Sequence, residues 1–348
     1  MTKGSGRFGN SDAEAIIKQM IAWQDDGFDT ALATVVSTWG SSPRPVGSHL
    51  GINSKGEMVG SVSGGCVEGA VINEGQEVMA AGKSKLVEFG VTNEMAWEVG
   101  LACGGKVRVF VEPFNPWRQV WADACDAVSR RQACVVATRL EDGDKALFLD
   151  SEIKGDMPVS ENLLRHLQDA AANDRSVTVK DAGGDYFLRA YSPSRRLVVV
   201  GAVHIAQFLV PMAELAGFSV AVIDPRQAFS ADYRFPDVDI KTEWPEEALR
   251  DQGLDSRSAV VTLAHDPKLD DPALKAALQS GAFYVGALGS RKTHAGRLAR
   301  LEKDGIPPAS LEGIRGPIGL DIGARSPAEI AISIMAEIVS VMRKKDGE

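Results

Sequence analysis

The spacing of hydrophobic positions changes near residue 193, and the two parts of the chain predict different architectures. Before that point, apolar β-branched stretches such as Ala31 to Thr38 and Lys106 to Val111 are separated by turns and by amphipathic helical segments. One helical segment, closed by Gly82, is predicted to begin near Cys66. This mixture predicts an N-terminal mixed α/β domain.

After residue 193 the apolar segments become continuous, and helical patterns separate them. They are Leu197 to Gly201, Ser219 to Asp224, Ala259 to Ala264 and Phe283 to Leu288. Continuous apolar strands joined by helices are typical of a parallel sheet that is covered on both faces. We therefore predict an α/β protein with a mixed domain at 1–192 and a Rossmann-like, doubly wound parallel-sheet domain at 193–348. The mixed domain contains glycine and cysteine loops within 11–115 and a middle α/β segment.

Composition limits the classes of partner. The chain has 348 residues, a net charge of −9 and a pI of about 5.2, which do not favour binding to nucleic acid or to an anionic membrane. The sequence has no apolar run of signal-peptide or transmembrane type, and its four cysteines are too few for a disulfide framework. These features predict a cytoplasmic protein with free thiols.

Three loops rich in glycine and serine carry the most distinctive chemistry in the first domain. They are Gly40-Ser41-Ser42-Pro43-Arg44, Ser63-Gly64-Gly65-Cys66-Val67-Glu68 and Cys103-Gly104-Gly105. Successive glycines let backbone N–H groups converge on an anion, and a cysteine at a helix N-terminus favours the thiolate. A thiolate beside such a nest suits a soft metal or a sulfur-bearing ligand. The alternative is that the glycines serve only turns and the thiols only fill space, as we predict for Cys125 and Cys134.

The second domain contains a partial dinucleotide fingerprint. Gly201 ends the first parallel strand, but Val203 stands where a second glycine would let a pyrophosphate approach the backbone. Asp224, with Arg226 close behind it, lies about twenty residues further on, where an acidic residue would bind a ribose hydroxyl. The sequence leaves a nucleotide site and a Rossmann sheet without a nucleotide equally open.

Two further residue groups in this domain have two interpretations each. His204 and His265 are expected at the carboxyl ends of strands, where ligands of open α/β sheets bind, although isolated histidines are more often polar loop residues. The segment Gly289-Ser290-Arg291-Lys292 opens a helix with two cations, which suits an anion or an ordinary solvated helix start.

Several sequence blocks together resemble the XdhC/CoxI family, the xanthine dehydrogenase accessory proteins. Besides the three glycine loops, the blocks are Gly286-Ala287-Leu288-Gly289-Ser290-Arg291-Lys292, Gly316-Pro317-Ile318-Gly319-Leu320-Asp321-Ile322-Gly323 and Ser326-Pro327-Ala328-Glu329-Ile330-Ala331. The resemblance covers nearly the whole chain except about residues 115 to 190. It implies a chaperone that binds a molybdopterin-type molybdenum cofactor and protects it while a cysteine desulfurase adds sulfur. The chaperone then delivers the cofactor to a molybdenum hydroxylase such as xanthine dehydrogenase.

Transferred to this chain, the resemblance makes Cys66 and Cys103 candidates for contacting the molybdenum. The residues predicted to bind a cofactor are Ser41, Ser42, Arg44, Ser63, Gly64, Gly65, Cys66, Glu68, Cys103, Gly104 and Gly105, with Gly201, Asp224 and Arg226 in the second domain. We assign no catalytic residue and expect a homodimer. The alternative is an NAD(P)-dependent oxidoreductase that uses the Rossmann-like domain, and a third option is a structural adaptor with vestigial pockets.

Overall fold

The computed structural model describes residues 10–40, 44–65, 67–90, 106–226 and 234–345. The chain divides into a front unit, Asn10–Pro193, and a rear unit that begins at Ser194. Each unit has its own sheets and its own buried apolar clusters.

The front unit begins with a five-stranded antiparallel sheet in the order β3-β2-β1-β5-β4. Its strands are β1 (Thr30–Trp39), β2 (His49–Asn53), β3 (Met58–Gly60), β4 (Lys85–Gly90) and β5 (Lys106–Pro113), and its helices are α1 (Asn10–Asp25) and α2 (Glu68–Ala81). Alternate side chains of β1 point to opposite faces, so Leu32 packs in the cluster of α1 while Ala33 packs in the cluster of α2. Gly82 ends α2 in the left-handed conformation and α2 begins at Glu68, two residues after Cys66, so the predicted start and end of this helix are confirmed.

A second antiparallel sheet follows in the order β8-β7-β6-β10-β9. Its strands are β6 (Cys134–Arg139), β7 (Lys145–Leu149), β8 (Glu152–Lys154), β9 (Val177–Asp181) and β10 (Gly184–Tyr191). A short 3-10 turn (Asn115–Trp117) and α3 (Arg118–Ser129) precede it, and α4 (Glu161–Ala172) lies between β8 and β9.

Two buried polar contacts join these sheets within the front unit. His49 Nε2 lies 2.6 Å from the Tyr191 hydroxyl, and Lys145 Nζ lies 2.7 Å from Glu112 Oε2. His49 and Glu112 belong to the first sheet, whereas Tyr191 and Lys145 belong to the second. Because a buried polar or charged group is costly unless it is paired, these contacts tie the two sheets into one body.

The rear unit contains a six-stranded parallel sheet, whose strands lie in the order β13-β12-β11-β14-β15-β16. Its strands are β11 (Arg196–Val200), β12 (Ser219–Ile223), β13 (Asp239–Lys241), β14 (Ser258–Thr262), β15 (Tyr284–Ala287) and β16 (Ile314–Arg315). Its helices are α5 (His204–Leu215), α6 (Pro245–Gln252), α7 (Pro267–Gln279), α8 (Arg291–Lys303), α9 (Pro308–Leu311) and α10 (Pro327–Lys345).

Helices cover both faces of this parallel sheet. One buried cluster joins the sheet to α5 and α10, and another joins it to α6, α7 and α8. The strand order reverses between β11 and β14, which is the point where ligands bind in sheets of this kind. The predicted fold class, a mixed α/β domain followed by a doubly wound parallel sheet, is confirmed. Among the described residues, the helices fall short of the length and apolarity needed to cross a membrane.

Candidate functional site

The strand ends that flank the predicted front-domain site lie at one edge of the first sheet. Strand register places Trp39, at the end of β1, beside Lys106, at the start of β5. Gly90, at the end of β4, lies beside Lys106 on its other side. The start of β2 and the end of β3 meet at this edge through the pair Leu50 and Gly60. The connections 40–48, 61–67 and 91–105 therefore all depart from one edge.

Part of the predicted site lies in segments that the structure does not describe. Six predicted residues lie outside the described residues: Ser41, Ser42, Cys66, Cys103, Gly104 and Gly105. The described part of the chain contains no group of three or more histidine, cysteine or acidic residues arranged to hold a metal ion. The assignment of Cys66 and Cys103 to molybdenum stays a prediction.

Glu68 is the centre of the second glycine loop. Its carboxylate accepts hydrogen bonds from the hydroxyls of Ser61 and Ser63 and from the backbone N–H groups of Val62, Ser63 and Gly65. The Ser61 Oγ to Oε1 distance is 2.7 Å and the Gly65 N to Oε2 distance is 2.8 Å. The side chain is only 6% exposed. The loop is thus wrapped around a carboxylate from the first turn of its own helix.

These contacts decide the ionisation of Glu68. Burial alone would raise the pKa of the carboxyl, but the hydrogen bonds from Ser63 and Ser61 outweigh burial and lower the pKa to about 2. Hydrogen bonds from donors favour the charged form, so Glu68 is ionised at neutral pH and remains so in mild acid. A fixed negative charge therefore lies inside the loop.

The loop amides consequently serve a different anion from the one that the sequence suggested. Gly65 donates to Glu68, and Gly64 N donates to Ser61 Oγ at 2.9 Å. Both amides, which were predicted to bind an external phosphate or pterin group, therefore donate within the loop, one to a carboxylate and one to a hydroxyl. Glu68 reaches the Gly65 amide because it lies in the first turn of α2, three residues after Gly65. A glutamate at that position can reach back to the N–H groups that precede the helix.

Arg44 connects the first glycine loop to the second. Its Nε lies 3.3 Å from the carbonyl oxygen of Ser61, which also provides a hydroxyl to Glu68. The described members of the front-domain prediction, which are Arg44, Ser63, Gly64, Gly65 and Glu68, therefore come together. Sequence reasoning missed Trp39, which is 57% exposed at the same edge. Its position immediately before Gly40 at the end of a strand could have identified it.

The two cysteines predicted to be core residues are confirmed as such. Cys125 and Cys134 are 8% and 1% exposed, and both belong to the apolar cluster around α1 and α3. Burial raises the pKa of each thiol to about 12. Both thiols are therefore protonated at neutral pH and poorly suited to binding a metal.

In the rear unit, Gly201 makes a turn that other residues would not tolerate. Its φ is +105°, and a Cβ at this position would lie 2.7 Å from Ala264 N and 2.9 Å from Ala264 Cα. The turns after β11 and β14 therefore touch at the switch point. The exposed His204 and His265 follow these turns, at the strand ends where the sequence placed them.

Asp224 is committed to contacts within the protein. Oδ2 accepts from Ala202 N at 2.8 Å and from Arg226 Nη2 at 2.7 Å, while Oδ1 accepts from Arg226 Nε at 2.8 Å. The residue is fully buried, yet these hydrogen bonds outweigh burial and lower its pKa. Asp224 thus ties the Gly201 turn to Arg226. This geometry does not present its carboxylate to a ribose hydroxyl, which was the basis of the predicted nucleotide contact.

A buried charge pair beneath the strand ends was also missed. Arg297 on α8 and Asp270 on α7 are each 2% exposed, with Nη2 and Oδ2 separated by 3.6 Å. Arg297 also donates to the carbonyl of Leu288 at 2.8 Å, just before Ser290 caps α8 through Thr293 N. Burial raises the pKa of Asp270 to about 6. Charged residues on amphipathic helices are usually exposed, so the pattern gave no signal for this pair.

Two family models match the chain. The XdhC and CoxI family matches residues 23–90, which include the first two glycine loops, and the XdhC Rossmann domain matches residues 197–338. Together these matches include the Glu68 loop of the front unit and the Gly201 turn of the rear unit.

Similar proteins match along almost their full length. The chain is 29% identical over 337 residues to a probable xanthine dehydrogenase subunit of Bacillus subtilis, covering 92% of this chain and 95% of that protein. It is 27% identical over 334 residues to the molybdenum cofactor insertion chaperone PaoD of Escherichia coli, covering 96% and 90%. A crystal structure described as a xanthine dehydrogenase from Bacillus halodurans superposes with a TM-score of 0.76 at 26% identity, covering 94% of this chain and 96% of that one.

Proposed function

Because the chain belongs to the XdhC and CoxI family, we propose that it binds a molybdopterin-type molybdenum cofactor and inserts it into a molybdenum hydroxylase such as xanthine dehydrogenase. The insertion chaperone PaoD of Escherichia coli, which matches over 96% of this chain, supports this assignment. The cofactor is the cargo of the protein, so the proposal requires a binding site and a docking surface but no general acid or base.

The observation that carries the proposal is that the strand ends flanking these three connections lie at one edge of the first sheet. The residues of these connections offer groups that match the different parts of the cargo. Thiols such as those of Cys66 and Cys103 are ligands for soft metals, and an arginine such as Arg44 suits a phosphate. The exposed ring of Trp39 suits stacking on a flat pterin.

The finer parts of the proposal follow the family. We expect the protein to act in the cytoplasm as a homodimer. It would protect the cofactor while a cysteine desulfurase supplies the sulfur, and then release it to the hydroxylase. The geometry of the rear unit does not favour the alternative, an NAD(P)-dependent oxidoreductase, because Asp224 already accepts hydrogen bonds from Ala202 and Arg226.

The test is the cofactor content of protein purified without oxygen from a host that makes the cofactor. Molybdenum would be measured by elemental analysis and pterin by the fluorescence of its oxidised form. We expect nearly one pterin per chain in the parent protein and reduced pterin in Cys66→Ser and Cys103→Ser. Cys125→Ala, which changes a buried thiol outside the site, is the matched control and should retain the parental content.

One result would contradict this function, and another would contradict only the thiol assignment. Parent protein that holds no pterin, even after incubation with released cofactor, would exclude the chaperone. If the parent binds pterin and both serine variants retain it fully, the thiol assignment is wrong although the chaperone proposal stands.

A further inference from the structure

The Glu68 carboxylate accepts its hydrogen bonds from its own loop, whereas a cofactor ligand would contact the cofactor. All five of the hydrogen bonds described above come from within the loop 61–65, and the carboxylate is nearly inaccessible to solvent. A group that is surrounded by its own loop has no face left for a bulky cargo. Its effect on a ligand must therefore act through the loop.

The backbone N–H groups of the residues before and after position 66 are both held by this arrangement. On one side, Gly65 N donates directly to Glu68 at 2.8 Å. On the other, Val67 N donates to Ser63 Oγ at 3.0 Å, and the same hydroxyl donates to Glu68. One carboxylate therefore restrains the backbone both before and after residue 66.

Glycine makes this restraint necessary. Gly64 and Gly65 have φ values of +78° and +120°, and glycine has the greatest conformational freedom to lose on folding. A Cβ at position 65 would meet no atom within 4 Å, so packing alone does not fix this part of the loop. The five hydrogen bonds to the Glu68 carboxylate supply the missing restraint.

From this geometry we infer that Glu68 is the positioning residue of the cofactor site: its carboxylate holds the loop 61–65 in the conformation that the molybdenum cofactor meets. The inference rests on the proposed function for its ligand. It also changes the role predicted for Glu68, from contact with the cofactor to organisation of the loop that contacts it.

The experiment compares the full-length parent with Glu68→Gln and Glu68→Asp. Glutamine keeps the length but loses the charge, and its amide N–H₂ replaces one of the two acceptor oxygens. Aspartate keeps a carboxylate on a shorter arm. Glu77→Gln is the matched control, because Glu77 lies on the same helix but is exposed and paired with Lys85.

Three measurements separate positioning from general destabilisation. The first is the affinity for molybdenum cofactor released from a purified molybdoenzyme. The second is hydrogen exchange of the amides of Val62, Ser63 and Gly65. The third is the alkylation rate of Cys66 relative to Cys103 in cofactor-free protein, resolved by peptide mass spectrometry, with the melting temperature measured in parallel.

In Glu68→Gln we expect faster exchange at the three amides and a Kd for the cofactor raised about tenfold or more. We also expect a several-fold rise in the ratio of Cys66 to Cys103 alkylation, because a less restrained loop gives the reagent easier access to the neighbouring thiol. Glu68→Asp should recover part of the affinity, and Glu77→Gln should match the parent throughout.

Other outcomes would overturn the inference. Unchanged cofactor affinity in Glu68→Gln would do so, and so would lost affinity with unchanged amide exchange, since that would indicate direct contact with the cofactor. Equal acceleration of alkylation at Cys66 and Cys103 would indicate general unfolding instead. A parent protein that binds no cofactor would refute the proposed function, whereas the exchange and alkylation results would still report on the loop.

Discussion

Each unit has a glycine turn between a strand and a helix, and in each a buried carboxylate accepts hydrogen bonds from the turn. The two carboxylates differ in the groups that stabilise their charge. Asp224 shares its oxygens between the turn amide of Ala202 and the guanidinium of Arg226. The five donors to Glu68 are neutral hydroxyl and amide groups. The rear turn thus contains an ion pair, while the front loop encloses a carboxylate held by neutral donors.

This difference explains why similar glycine patterns lead to different chemistry. In the rear turn the carboxylate of Asp224 and the guanidinium of Arg226 satisfy each other. A carboxylate held by hydroxyls and amides orders a flexible glycine segment without a cation. The neighbouring arginine of the front site, Arg44, contacts a carbonyl oxygen of the loop. The comparison predicts that substitutions in the two turns will have different consequences.

The largest effect is expected from adding a methyl group to each turn. Gly201→Ala and Gly65→Ala both force alanine into positive φ, which costs about 1–3 kcal/mol. At position 201 the new Cβ also collides with the backbone of Ala264, and overpacking adds about 1–3 kcal/mol, for about 2–6 kcal/mol together. Calorimetric unfolding would measure the loss of stability in both variants relative to the parent.

Position 65 is the control for position 201, because its Cβ would enter open space. The rear turn should therefore lose clearly more stability than the front loop. Equal losses in the two variants would mean that contact between the turns after β11 and β14 does not restrict position 201.

The next effect concerns the exposed aromatic side chains of the two units. Trp39 is 57% exposed beside the front loops and Trp244 is 56% exposed in the rear unit. If Trp39 stacks on the pterin, Trp39→Ala should weaken cofactor binding by about 1–3 kcal/mol, which is roughly 5- to 150-fold in Kd. Equilibrium titration with the released cofactor would measure it.

Trp244→Ala removes an equally exposed ring from the other unit and should leave the affinity unchanged. Trp39→Phe should retain most of the binding because an aromatic face remains. Parental affinity in Trp39→Ala would exclude stacking at this residue and restrict the site to the loops.

The sequence predicted the parallel sheet because continuous apolar strands such as Leu197 to Gly201 are a local property of the chain. It also identified the glycine loops, whose composition is equally local. It did not reveal that Glu68 reaches back to an amide of its own loop, or that Asp224 pairs with Arg226. A side chain has several acceptors and donors within reach, and only three-dimensional distances decide between them. Trp39 was missed because strand ends carry aromatic residues for ordinary packing as well.

A smaller effect is expected when the cation of the rear turn is removed. Arg226→Gln leaves Asp224 buried without its guanidinium, although the half-exposed position of Arg226 limits the loss to about 1–2 kcal/mol. The pKa of Asp224 is lowered in the folded protein, so its stabilisation is present above the unfolded pKa and lost as pH falls through the folded pKa. The deficit should therefore be largest at neutral pH and shrink below about pH 4.

Urea unfolding of the parent and of Arg226→Gln between pH 3 and pH 7 would test this dependence. Arg250→Gln provides a control, since that arginine lies in the last turn of α6 in the same unit. A deficit that stays constant over this pH range would show that the guanidinium acts by packing and not by its charge on Asp224.

The smallest effect is expected at Glu329, a carboxylate that accepts hydrogen bonds from backbone N–H groups as Glu68 does but is exposed to solvent. Glu329 accepts from the backbone N–H groups of Arg325 and Ser326 at 2.7 and 2.9 Å, while Ser326 Oγ accepts from Glu329 N, which is the arrangement of a capping box. These backbone hydrogen bonds lower the pKa of Glu329, but the residue is exposed and salt screens it. Glu329→Gln should therefore lower the melting temperature slightly at low salt and hardly at all in 1 M salt, whereas Glu68→Gln should be nearly insensitive to salt. A loss at position 329 as large and as salt-independent as that at position 68 would show that the number of amide contacts, and not burial, sets the strength of these helix-start carboxylates.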